Sequence, residues 1–354
     1  MIKINDNIIS NDSDTYFIAD IAANHDGSIE KAKELIYLCA EAGADAAKFQ
    51  HFSAESIVSD FGFKSLDCGT SSHQSGWKES VFDVYKNASL DQDWTPILEA
   101  TCKNAGIDFL TSPYSFDLVD AVDQYVDAYK VGSGDITWLE IIKYMASKNK
   151  PIFIATGASS FNEVRLAVNT ALKETNDIVL MQCNTNYTSS LENFKYINLN
   201  VLKRYRKEYP GIILGLSDHT PGHATVLGAV SFGARVIEKH FTNNVNKKGP
   251  DHKFSMDFDS WKDMVDRTKE LEMSLGSDIK KVEYNENETV VLQRRTVREK
   301  RSLKKGETLT RDAIELLRPC PLDAIGPDSL EKIVGRRLVA NIALGDYVTW
   351  KDLK

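Results

Sequence analysis

Between about residue 15 and residue 275 the chain repeats one pattern eight times: a short apolar run, a few polar or glycine-bearing residues, then an amphipathic stretch. The runs are Tyr16 to Ala22, Ala46 to Phe49, Asp108 to Thr111, Ala128 to Val131, Pro151 to Ala155, Ile178 to Gln182, Ile212 to Leu216 and Val236 to Lys239. Short runs that are apolar throughout are what strands buried on both faces require. The stretches between them, such as IEKAKELIYLCAEAGA, return an apolar residue every three or four positions and end in glycine, the mark of a helix packed on one side. Eight strand–helix units over about 250 residues is the count of a closed (β/α)8 TIM barrel. An open, doubly wound dinucleotide-binding sheet would need a GxGxxG turn after an early strand, and the chain has none.

The rhythm stops near Leu275. Residues 276–289 are charged and lack a long apolar run, so a linker or exposed helix is expected between a barrel over 1–275 and a small, mostly β domain over 290–354. In that tail KKGETL and IALGDYV suggest two related turn units. A domain of about 60 residues buries little core alone, so docking on the barrel or on another subunit is expected.

Net charge is −8, and lysine and arginine do not cluster with aromatic residues, which argues against a nucleic-acid partner. The five cysteines, Cys39, Cys68, Cys102, Cys183 and Cys320, are odd in number and form no CxxC pair, as expected of reduced thiols. The N-terminus lacks a signal-like apolar run, and no segment is apolar enough to span a membrane, so a cytoplasmic protein without a membrane partner is expected.

In a TIM barrel the reactive side chains project from the C-terminal strand ends and the loops after them. Here those ends carry Asp20, Lys48, Gln50, Ser112, Lys130, Ser133, Thr185, Tyr187, Ser217, His219, Glu238 and His240. Hydroxyls and amides at such places are ordinary capping groups, but two lysines ending buried strands are not. A buried ammonium needs an anion, so Lys48 and Lys130 are read as an anion cradle with Ser112, Ser133 and Ser217 around it. The glycines of GSGD at 132–135 let backbone amides approach a phosphate. His219 and His240 end consecutive strands about 4.8 Å apart, close enough to share one Mn2+, Zn2+, Fe2+ or Co2+ ion. Asp20 and Asp251 are candidates for acid, base or sugar-hydroxyl contacts.

At these motifs the chain resembles the sialic acid synthase family. The matching segments are FIADIAANHDGS, AGADAAKFQ, FLTSPYSFD, AYKVGSGD, PIFIATG, GLSDHT, GAVSFGARVIEKHF and GPDHKFSMD. The tail is similar to that family's antifreeze-like (SAF) domain, including KKGETL and Arg318-Pro319. Kdo-8-phosphate and DAHP synthases share barrel and chemistry but lack the tail and the paired histidine motifs. A Kdo-8-phosphate type of synthase, or another metal-dependent aldolase, is the alternative.

The resemblance implies condensation of phosphoenolpyruvate with an open-chain N-acyl amino sugar to give a nonulosonic acid and phosphate. It implies phosphoenolpyruvate on Lys48, Gln50, Ser112, Lys130, Ser133, Thr185 and Ser217, and a divalent ion on His219 and His240. The ion is expected to be Mn2+, with Mg2+ or Co2+ as substitutes. Asp20, Lys130, His240 and Asp251 are the implied catalytic residues, and Asp20, His73, Tyr187, Asp251 and Arg318 the sugar contacts. Arg318 would come from a partner subunit, which implies a domain-swapped homodimer. The chain departs from the family in carrying Asp20 and Asp135 where Glu is usual, and Ala155 where some relatives have Ser. The segment CGTSSHQSGWKESVFDVYK, with His73, Gln74 and Trp77, is differently furnished and is expected to set the choice of acceptor.

Overall fold

A short antiparallel hairpin, β1 (Ile2–Ile4) and β2 (Asn7–Ile9), precedes eight parallel strands in the computed structural model, which describes residues 1–66, 74 and 77–354. The eight are β3 (Tyr16–Asp20), β4 (Ala46–His51), β5 (Asp108–Pro113), β6 (Tyr129–Val131), β7 (Ile152–Ala155), β8 (Ile178–Cys183), β9 (Ile213–Asp218) and β10 (Ala234–His240). Each pairs with its sequence neighbour, and β10 pairs with β3, closing the barrel. Each run expected from the sequence is a strand. The closed (β/α)8 architecture is the one the pattern implied.

Two apolar layers follow from side-chain alternation. Outward residues such as Phe17, Ala47, Phe49, Leu214, Leu216 and Ile237 pack under the surrounding helices. The helix Ile29–Glu41, capped by Ser28, contributes Leu35, Ile36 and Cys39 to that layer. Inward residues Ile18, Leu110, Phe153, Val179 and Val236 fill the barrel axis, and Ile2, Ile4 and Ile9 of the hairpin close it from below. The hairpin is further tied down by Asp108, whose carboxylate accepts from Asn5, Asn7 and the Tyr16 hydroxyl at 2.6, 2.8 and 2.6 Å. Gly215 lies where β9 meets a register shift in β10. A Cβ there would stand 2.8 Å from the Val236 carbonyl, so only glycine lets the strands approach this closely.

Strand ends differ from expectation in an informative way. The strands β4, β5, β8, β9 and β10 run one or two residues past their apolar runs, because ladder hydrogen bonds need only backbone. Gln50, Ser112, Ser217 and His240 therefore sit on rigid strand rather than in loops. The opposite holds at β3, which stops at Asp20 because Ala22 turns into the left-handed region at φ 44°.

The chain divides into Met1–Gly276 and Ser277–Lys354. In the second unit β11 (Thr296–Glu299) pairs antiparallel with β12 (Ile314–Leu317). Its own small core includes Val297, Leu303, Leu309, Ile314, Ile333, Leu338 and Val348. The two turns singled out from the sequence each place a glycine in the left-handed region, Gly306 at φ 87° and Gly345 at φ 80°. All of the expected linker 276–289 except Gly276 belongs to this unit, and a helix, Asn287–Gln293, begins within it.

Candidate functional site

Alternation decides which strand-end residues reach the barrel axis. Ser217, His219, Glu238 and His240 point inward and line a cavity of about 390 Å³ at the C-terminal rim. Asp20, Lys48, Gln50, Ser112, Lys130 and Ser133 line the same cavity, as do Tyr187 and Asp251 from the loops after β8 and β10. These eight converge with Ser217, His219 and His240, all of them singled out from the sequence. Thr185 is not part of the lining, although its methyl group faces Gly157, whose amide donates to Ser133 Oγ at 2.9 Å. Arg318 belongs to the second unit, and His73 falls outside the described residues. Gln74 and Trp77 line the cavity.

The lysines are buried, Lys48 at 2% and Lys130 at 4% exposure, but neither lacks an anion. Lys48 Nζ lies 2.7 Å from Asp20 Oδ2, and Lys130 Nζ lies 3.2 Å from Glu238 Oε1. This corrects the sequence argument. Burial is compensated inside the protein and does not by itself demand a ligand. A bound anion would instead share ammonium groups already held in place. Burial would discharge Lys48, but Asp20, with Glu238 behind it, holds the ammonium above its ordinary range. Burial would likewise raise Glu238, yet Lys130 and Lys48 outweigh it and hold the carboxyl at about 2.

The histidines lie side by side, ring centroids 5.4 Å apart. His219 Nδ1 donates to the Asn184 carbonyl at 2.9 Å, which fixes its tautomer and leaves the Nε2 lone pair free. His240 stacks edgewise on Phe254 at 4.8 Å, while Tyr187 abuts His219 at 4.4 Å. Burial, with His240 adding to it, lowers His219 to about 4. Burial and Lys48 lower His240 to about 3, so both rings are neutral at pH 7. Among the described residues the buried His240 Nδ1 and Glu238 Oε2 have no hydrogen-bond partner. Two neutral imidazoles, one with an orphaned nitrogen, beside buried carboxylates fit a divalent cation. No group of three or more His, Cys, Asp or Glu side chains is set to hold one among the described residues, so the remaining positions would fall to water and substrate.

The loop after β3 completes one wall. Left-handed Ala22 is a strained position for a residue with a Cβ. It turns two amides onto carboxylates: Ala22 N–H donates to Asp20 Oδ1 at 3.1 Å and Ala23 N–H to Asp251 Oδ2 at 3.1 Å. Burial raises Asp251 to about 7, with Asp20 adding to the shift against the Ala23 amide. Burial likewise raises Asp135, also in the lining, to about 6.

Sequence reasoning assigned Glu238 no role, although it shares inward parity with His240 two residues on. That parity was the available signal. It also missed the apolar wall of Phe52, just past β4, and of Ile57, Val84, Tyr85 and Ala88, which short helices at Ala54–Ile57 and Val81–Ala88 bring to the cavity. Cavity-lining Tyr114 was missed too.

The NeuB family model matches residues 35–280 and the SAF domain model residues 294–354. The N,N'-diacetyllegionaminic acid synthase of Legionella pneumophila is 32% identical over 346 residues, covering 96% of this chain and 94% of that protein. A pseudaminic acid synthase of Campylobacter jejuni (serotype O:2) is 28% identical, covering 97% and 98% of the two chains. The solved sialic acid synthetase of Leptospira borgpetersenii superposes with a TM-score of 0.70 at 23% identity, over 82% of this chain and 94% of that one, a likeness of fold. The barrel with its rim of buried lysines and paired histidines, followed by a SAF domain, is a member of the NeuB family.

Proposed function

We propose that the protein is a nonulosonic acid synthase that condenses phosphoenolpyruvate with an open-chain N-acyl amino sugar. The observation that carries this reading is the single cavity in which Lys48 and Lys130 stand beside the neutral His219–His240 pair. Relatives named as legionaminic and pseudaminic acid synthases over nearly the whole chain support it.

In this reading Lys48, Lys130 and Gln50, with Ser112, Ser133 and Ser217, hold the carboxylate and phosphate of phosphoenolpyruvate, and Thr185 backs that wall. His219 and His240 hold Mn2+, or Mg2+ or Co2+, which when bound supplies Lewis-acid polarisation of the aldehyde. C3 of phosphoenolpyruvate bonds to the aldehyde carbon while the aldehyde oxygen gains a proton. Water then adds at C2, one of its protons restoring the group that protonated the aldehyde oxygen; the C2 hydroxyl becomes the ketone carbonyl as the bond from C2 to the phosphate oxygen breaks, and its proton leaves with phosphate. Asp251, raised to about 7, is the carboxyl suited to deliver that proton from its Oδ atoms at neutral pH. Asp20 orients Lys48 and, with Tyr187, faces the sugar. Arg318 reaches the acyl-amino group from a partner's SAF domain in a domain-swapped homodimer working in the cytoplasm.

The test is phosphate release from phosphoenolpyruvate with Mn2+ across a panel of N-acyl amino sugars, repeated with EDTA. The reading expects release that requires both aldose and metal. Release that ignores EDTA, or none with any sugar, contradicts it.

A further inference from the structure

Outward positions on the barrel strands are apolar almost throughout, as the helix layer over them requires. The hydrogen-bonded His51 and Thr111 of β4 and β5 are one exception, and a charged level of β9 and β10 is another. Asp218 and Lys239 are direct register partners, point away from the cavity, and are each 1% exposed at the side chain. Lys239 Nζ lies 2.6 Å from Asp218 Oδ2 and also donates to the Thr220 carbonyl at 2.5 Å. Thr220 Oγ1 and Thr225 Oγ1 both donate to Asp218 Oδ2, at 2.7 and 2.8 Å. Thr225 lies on the helix Ala224–Ser231, so the network also anchors the element that follows β9.

The placement is specific. A single ammonium grips residue 218 and residue 220, the two neighbours of His219, and is itself carried by the neighbour of His240. Stability does not account for it, since a buried ion pair is usually matched or bettered by apolar residues of similar volume. Its effect is to fix one histidine-bearing segment against the other from behind the barrel wall.

We propose that Asp218 and Lys239, with Thr220 and Thr225, are positioning residues that set the spacing of His219 and His240 for a divalent cation. This rests on the cation reading given above. Groups behind metal ligands of this kind typically change metal affinity by about 10–100-fold when altered. Neither Asp218 nor Lys239 lines the cavity.

The probe is Mn2+ alone, titrated into the full chain and followed by electron paramagnetic resonance of the free ion. Thermal midpoints and the visible spectrum of bound Co2+ are recorded alongside. The double variant Asp218→Asn/Lys239→Met is expected to keep a midpoint within a few degrees of the parent. It should bind Mn2+ about 10–100-fold more weakly and shift the Co2+ bands. Unchanged affinity and unchanged bands in the folded double variant overturn the positioning role. If that variant does not fold, Thr225→Val removes one hydroxyl and leaves the ion pair. A loss of about threefold is then expected, the equivalent of a single hydrogen bond, and no loss overturns the proposal. A parent chain that binds no Mn2+, or a His219→Ala variant that binds it as well as the parent, brings down the cation reading and this proposal together. Loss on His219→Ala without loss in the double variant brings down this proposal only.

Discussion

The two ends of the same eight strands solve the problem of buried polarity in opposite ways. At the lower end Asp108 is buried, and both its oxygens are engaged by Asn5, Asn7 and Tyr16, beneath an apolar axis closed by three isoleucines. At the upper end two ammonium groups, four carboxyl groups and two imidazoles crowd one cavity, and atoms are left over: His240 Nδ1 and Glu238 Oε2 have no partner among the described residues. Ala22 is strained besides. A buried polar atom without a partner costs about 1–3 kcal/mol. The lower end avoids that cost and the upper end bears it, which is how a surface made for stability differs from one made for ligands.

The contrast breaks most visibly at His240. If His240 holds the proposed cation, replacing it with Gln should lower turnover by about 10³-fold, while moving the thermal midpoint by a few degrees at most. Steady-state rates and calorimetry check both halves. Asp108→Ala should do the reverse. It strands the Tyr16 hydroxyl and two amides and should cost about 3 kcal/mol in urea unfolding, with kcat unchanged.

Asp251 sharpens the picture through pH. A carboxyl raised to about 7 is protonated below that pH and loses its proton above it. Turnover that uses its proton should therefore decline as pH rises through about 7. Asp251→Asn should be about 10²-fold slower, with that limb absent from the pH–rate profile.

The smallest effect concerns Glu299 of the second unit, which is fully buried with both oxygens unpartnered among the described residues. Burial raises its carboxyl to about 7, against Arg301. A folded-state value above the unfolded one means the protonated form fits the fold, so stability falls as pH rises from about 4.5 towards 7. Glu299→Gln should raise the thermal midpoint by a few degrees at pH 8 and by less at pH 5. That result would mark this orphan as a cost without a ligand, unlike the atoms at the rim.

The barrel was legible because strands buried on both faces must be apolar, and because helices of period 3.6 separate them. The site was legible for a related reason: charged or polar residues at or just past the C-terminal ends of otherwise apolar runs, such as Asp20, Lys48, Lys130 and His240, stand out against them. The pairing of Lys48 with Asp20 was not legible, since 28 residues separate them and only register brings them together. The plugging hairpin was not legible either, since its buried face rests on only three isoleucines, Ile2, Ile4 and Ile9, set among polar residues. The apolar wall came from helices as short as Ala54–Ile57, too brief to show a period. The Asp218–Lys239 pair hid behind its neighbours, because the histidines beside it drew the chemical reading.

The most direct test of the account follows one oxygen atom. Phosphoenolpyruvate labelled with heavy oxygen at the bridge between C2 and phosphorus is turned over with Mn2+ and an accepted amino sugar, and both products are weighed by mass spectrometry. The account predicts that the label leaves with phosphate and that the sugar acid gains the mass of the pyruvyl unit. Label retained in the sugar acid, or phosphate formed without any sugar acid, would contradict it.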